Sequence, residues 1–144
     1  MTIKVALAGA GAFGIKHLDG IKKIDGVEVI SLVSRDLAKT QEVAAKYGIT
    51  HATTSLEDAL AIKEVDAVIL CTPTQMHASQ AIACLDAGKH VQVEIPMCDI
   101  YADGLRLVQR QKETGLVAMC GHTRRFNPSH QWVNKKINAG EFNI

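Results

Sequence analysis

The chain opens on an apolar, strand-like run, Ile3-Lys4-Val5-Ala6-Leu7-Ala8, that breaks at once into Gly9-Ala10-Gly11-Ala12-Phe13-Gly14 and a helical pattern. No other stretch restricts the accessible folds so tightly. In a G-x-G-x-x-G turn between strand and helix, Gly9 allows the tight turn. Gly11 lets the backbone approach an anion, and Gly14 lets the helix lie close to the strand. Free N–H groups and the positive end of the helix dipole then face a phosphate. The turn predicts a dinucleotide-binding fold, with Gly9, Gly11, Ala12, Phe13 and Gly14 against the pyrophosphate. About twenty residues further on, where an acidic side chain usually grips the ribose 2′-hydroxyl, the chain reads Val33-Ser34-Arg35-Asp36. An uncharged Ser34 followed by a cationic Arg35 suits a 2′-phosphate and points to NADP rather than NAD.

The rest of the pattern agrees. Strand-like runs at 3–8, 27–34, 51–54, 66–71, 90–94 and 116–120 alternate with helical segments at 12–23, 37–47, 56–62, 76–87 and 102–114. Short connections between them predict an α/β class, a doubly wound parallel sheet. The run Ala67-Val68-Ile69-Leu70-Cys71 reads as a strand covered on both faces. With 144 residues, one domain with its own core is expected. We take residues 1–121 as that domain. From Gly121 the chain turns polar, a helix is expected over 129–138, and 139–144 reads as the onset of another strand. Residues 122–144 are therefore expected to open a second, truncated domain.

A net charge of +1, from 16 basic and 15 acidic residues, gives no electrostatic case for nucleic acid or an acidic membrane. No apolar run is long enough to span a bilayer. The first strand starts immediately, so no signal peptide is expected. Cys71, Cys84, Cys98 and Cys120 form no CxxC pair, so burial rather than metal or redox chemistry is expected of them. A reducing, cytoplasmic setting and no metal site follow as expectations. His17 and His90 read as structural, and His51 and His130 carry no motif.

Three clusters stand at the ends of the later strands: Cys71-Thr72-Pro73-Thr74-Gln75-Met76-His77, Glu94-Ile95-Pro96, and Gly121-His122-Thr123-Arg124-Arg125-Phe126-Asn127-Pro128. All three open onto the crevice where open α/β sheets bind ligands. With the glycine turn, they resemble the glucose–fructose oxidoreductase/inositol dehydrogenase (Gfo/Idh/MocA) family, which carries TPxxxH, EKP and an RF-containing loop in this order. The resemblance covers the whole chain but only the N-terminal, Rossmann half of a family protein, so the family's second α+β domain is expected to be absent from this chain. It implies an oxidoreductase in which Thr72, Pro73, His77 and Glu94 lie against the cofactor. It also implies a homo-oligomer for the full-length form, through a second-domain sheet.

One position departs from the family. Where EKP carries a lysine that helps deprotonate the substrate hydroxyl, this chain has Ile95, which transfers no proton. Within the family, oxidation of a small carboxylated semialdehyde fits that departure. Such a substrate closes to a cyclic hemiacetal whose hydroxyl is more acidic than that of a simple alcohol, and hydride removal gives a lactone. Arg124 and Arg125 are the candidates for its carboxylates, since arginine pairs them bidentately. His122 beside them is the candidate proton acceptor. A sugar or cyclitol dehydrogenase of the same family and a non-catalytic NADP-binding sensor module are the alternatives.

Overall fold

The computed structural model describes residues 2–142. Its centre is a six-stranded sheet. In chain order the elements are β1 (Ile3–Ala8), α1 (Ala12–Ile21), β2 (Val27–Val33), α2 (Leu37–Tyr47), β3 (His51–Thr53), α3 (Leu56–Leu60), β4 (Ala67–Leu70), α4 (Thr74–Asp86), β5 (His90–Glu94), α5 (Tyr101–Thr114) and β6 (Ala118–Gly121). A 3-10 turn (Thr123–Phe126) and α6 (Pro128–Asn138) follow. The strand order is β3-β2-β1-β4-β5-β6 and every pairing is parallel. The order reverses between β1 and β4, so their carboxyl ends diverge into a crevice.

Side-chain alternation along the strands builds two cores. Ala6, Ala8, Val68, Leu70, Val91 and Val93 pack on one face, against Leu56 and Ala59 of α3, Ala81 and Leu85 of α4, and Leu107 of α5. Leu7 and Leu32 pack on the other, against Leu18 of α1 and Ala44 of α2. Leu7, Leu32 and Leu70 are fully buried, each contributing about 1.5–3 kcal/mol relative to exposure. Helix ends follow local chemistry. The Asp36 carboxylate accepts from the Lys39 N–H and the Ser55 hydroxyl from that of Asp58. Gly48 and Gly115 close α2 and α5 in the left-handed region. The Lys89 ammonium donates to the carbonyls of Ile62, Lys63 and Val65, binding the turn after α3 to the start of β5.

The structure differs from the expected pattern mainly at boundaries. Helix α4 begins at Thr74, directly after Pro73, two residues before the expected start. Strand β6 begins at Ala118 because side chains take the preceding backbone donors. The Leu116 N–H goes to the Thr114 hydroxyl and that of Val117 to His90 Nδ1. Residues 123–126, read only as polar, form the 3-10 turn. Asn127 Oδ1 then accepts from the Ser129 N–H and starts α6 with Pro128 in its first turn. The strand expected to open over 139–144 meets a turn at Gly140 (φ 71°), and its last two residues lie outside the described residues.

Candidate functional site

The three glycines of the β1–α1 turn do different work. Gly9 has φ +108°, and a Cβ there would lie 2.3 Å from the Cys71 carbonyl oxygen at the end of β4. At Gly14 it would lie 1.8 Å from the Gly9 carbonyl oxygen. Both glycines thus shape the turn against the protein itself. Gly11 is the reverse: a Cβ there would meet nothing within 4 Å. No side chain caps the N-terminus of α1 and no acidic residue stands in its first turn. Ala12 and Phe13 are exposed beside it. Unfilled space over an uncapped helix start fits a pyrophosphate.

At the end of β2 the Ser34 N–H bonds to the Thr53 carbonyl, which sets the backbone. Arg35 is exposed and forms no ion pair among the described residues. The neighbouring Asp36 is committed to the backbone and ammonium of Lys39.

The Thr72-Pro73 corner after β4 is pinned from below. His77, expected at the cofactor, is only 2% exposed. Its Nε2 lies 2.7 Å from the Thr72 carbonyl and its Nδ1 2.7 Å from that of Pro96. Both nitrogens are occupied by main chain, so the ring ties the β4 corner to the β5 corner and has none left for a ligand. The Thr72 hydroxyl donates to Gln80 Oε1 at 2.5 Å.

Glu94 is likewise more enclosed than a free ligand-gripping carboxylate would be. It is 6% exposed. Its Oε1 lies 2.7 Å from His17 Nε2 and accepts from Gln92 Nε2 at 3.0 Å. Gly121 of β6 makes room, since a Cβ there would fall 2.8 Å from that oxygen. His17, read as structural, is therefore the residue that joins α1 to the carboxyl end of β5. It stands four residues after Phe13 on the same helix face, with the two rings 6.0 Å apart.

The thiols at this edge are held protonated. Burial, and then the Glu94 charge, push Cys71 up to about 12. Burial, Glu94 and Cys98 raise Cys120 in the same direction, and away from this edge, near the C-terminus of α4, burial raises Cys84 to about 12. No group of three or more His, Cys, Asp or Glu suited to a metal ion occurs among the described residues. No helix there is long and apolar enough to cross a membrane.

His122, Arg124 and Arg125 are exposed just beyond β6, and the His122 carbonyl accepts from the Arg125 N–H. The two arginines line an open groove of about 640 Å³ with residues of α6.

A parallel sheet with its switch point at a glycine turn, an uncapped helix and three strand-end corners has the architecture of a dinucleotide-binding Rossmann domain. The profile of the oxidoreductase family with an NAD-binding Rossmann fold (Gfo/Idh/MocA) matches residues 3–122, and the chain belongs to that family. It is 64% identical over 142 residues to 4-carboxy-2-hydroxymuconate-6-semialdehyde dehydrogenase of Sphingobium sp. strain SYK-6, covering 99% of this chain and 45% of the relative. It is 33% identical to inositol 2-dehydrogenase of Rhodococcus erythropolis, covering 96% and 41%. Among solved structures, the WlbA dehydrogenase of Bordetella pertussis, in complex with NADH and UDP-GlcNAcA, superposes with a TM-score of 0.92 at 32% identity, covering 99% of this chain and 44% of that one. The chain spans less than half the length of these relatives.

Proposed function

We propose that the chain is the cofactor-holding half of an NADP-dependent dehydrogenase. Its reaction takes hydride from the cyclic hemiacetal of 4-carboxy-2-hydroxymuconate-6-semialdehyde and yields 2-pyrone-4,6-dicarboxylate, in the breakdown of aromatic compounds. The observation that carries this reading is the 64% identity to the semialdehyde enzyme along nearly the whole chain. When bound, the nicotinamide accepts the hydride. This chain's residues bind and orient. The open face at Gly11 and the uncapped start of α1 receive the pyrophosphate. Arg35, free of acidic partners among the described residues, pairs with the 2′-phosphate. The Thr72-Pro73 corner, fixed from beneath by His77, lies along the cofactor. Glu94, held by His17 and Gln92, supports the same edge.

Arg124 and Arg125 pair with carboxylate on the substrate, and exposed His122 accepts the hydroxyl proton as the hemiacetal carbon loses hydride. Ile95 is consistent with a substrate whose hydroxyl gives up its proton readily. The inositol dehydrogenases, at 31–33% identity, support a second reading in which a cyclitol is oxidised instead. The test is turnover by the polypeptide carrying this sequence in its complete reading frame, followed by reduced-nicotinamide absorbance. The semialdehyde with NADP should give a rate at least about tenfold above NAD, and inositol should give none. Turnover of inositol but not of the semialdehyde would establish the second reading. No reduction with either substrate would leave a binding module.

A further inference from the structure

The groove beyond β6 carries features that the two arginines alone do not explain. Its lining is Arg124 and Arg125 from the 3-10 turn and His130, Gln131, Asn134 and Lys135 from α6. None of these is acidic. Among the described residues, neither arginine nor Lys135 has an ion-pair partner, whereas Lys136, the next residue, is paired with Glu141. Three fixed cations thus share one concavity in a chain whose net charge is only +1.

The two elements are held together without using those charges. Gln131 Nε2 donates to the Arg125 carbonyl, the Arg125 N–H to that of His122, and Asn127 caps α6 between them. Asn134 accepts through its Oδ1 from Asn138 Nδ2, which leaves its own amide N–H groups to donate. The groove therefore offers cationic and amide donors from both elements and no carboxylate of its own.

The geometry points to a site for a small dicarboxylate, in which Arg124 and Arg125 hold one carboxylate and Lys135 with Asn134 holds the other. The proposal rests on the carboxylated-substrate reading above and assigns Lys135, Asn134 and α6 to it. The chemistry is directional. Guanidinium forks pair a carboxylate through two parallel bonds, and an ammonium acts as a point charge on a flexible stem. A volume of about 640 Å³ admits a planar acid of one ring and two carboxylates. A monoacid engages only one of the two donor sets, so the second carboxylate is worth about tenfold or more, the size of one charge-assisted contact.

Trp132, the sole tryptophan, lies on the same helix, α6, and is half exposed, which provides an optical probe. The experiment titrates the 144-residue chain with isophthalate, benzoate and inorganic phosphate, following Trp132 emission, and titrates NADPH separately. Isophthalate should bind at least about tenfold more tightly than benzoate or phosphate. Lys135→Ala should bring isophthalate down to the benzoate level, and Lys135→Arg should restore the preference. The substituted side chains are exposed, so folding is not at issue. Equal affinity for isophthalate and benzoate, phosphate binding as tight as isophthalate, or a preference that survives Lys135→Ala would overturn the proposal. If isophthalate keeps its preference while NADPH fails to bind, the groove stands and the cofactor reading falls. If NADPH binds and isophthalate does not, the groove falls and the cofactor reading stands.

Discussion

Gly11 and Gly14 stand three residues apart and exclude a side chain for unrelated reasons, which single substitutions can separate. Gly14→Ala drives a methyl into the Gly9 carbonyl, a backbone atom that cannot swing aside. Overpacking of that kind costs about 1–3 kcal/mol, and the melting temperature should fall by on the order of 5–10 °C. Gly11→Ala meets nothing in the protein, and its neighbourhood is solvent. Stability should stay within about 0.5 kcal/mol, while calorimetric titration should show NADPH affinity reduced by at least about tenfold. A Gly11→Ala protein that binds NADPH normally would remove the pyrophosphate from this turn. Arg35 gives the companion test of cofactor choice. Reversing its charge with Arg35→Glu should weaken NADPH by roughly ten- to a hundredfold, the worth of one charge-assisted contact, with a smaller loss for NADH. Equal losses for both cofactors would sink the 2′-phosphate assignment.

Between elements, the contact that matters most is the one from α1 to β5. His17 and Glu94 are 77 residues apart in sequence and 2.7 Å apart in space, with Gln92 on the same carboxylate oxygen. Removing His17 leaves an enclosed carboxylate with one donor fewer, so His17→Ala should cost about 1–3 kcal/mol. In a double-mutant cycle with Glu94→Gln the two losses should not add. Additive losses in urea unfolding would show that the pair is incidental. This contact also marks what the sequence could and could not disclose. Strand β1, helix α2 and strand β5 were legible to the residue, because short apolar runs and a closing Gly48 are local signals. The α4 start was not, because no side-chain cap marks it, and neither was the late onset of β6, because side-chain bonds from Thr114 and His90 decide where pairing begins. At the site, the glycine turn and Ser34-Arg35 were visible because their chemistry is carried by neighbours in sequence. The enclosure of Glu94, and of His77 between two carbonyls, depends on partners that only the folded sheet supplies.

Across the whole molecule, folding takes two thiols out of solvent, Cys71 at the carboxyl end of β4 and Cys84 near the C-terminus of α4, and that burial has a pH consequence. Cys71 and Cys84 are raised from 9.0 to about 12 in the folded chain by loss of solvent. In the unfolded chain they return to ordinary values. Below about pH 9 both states hold the protons, and the stability contribution is complete. As pH rises from there towards about 12, the unfolded state releases protons that the native state keeps. It therefore binds fewer protons, and stability falls with pH. Tyr47, raised by its hydrogen bond to Asp19, acts in the same direction from its own higher starting point. Urea midpoints should therefore decline between about pH 8.5 and 10.5, and the native thiols should resist alkylation at the lower pH. Cys84→Val keeps an apolar group of similar size in a site that is 0% exposed and removes one titrating proton. Its alkaline decline should be shallower than that of the parent, and Tyr47→Phe separates the phenol's share. A Cys84→Val protein with the parent's full alkaline slope would show that the buried thiol is not a source of the decline.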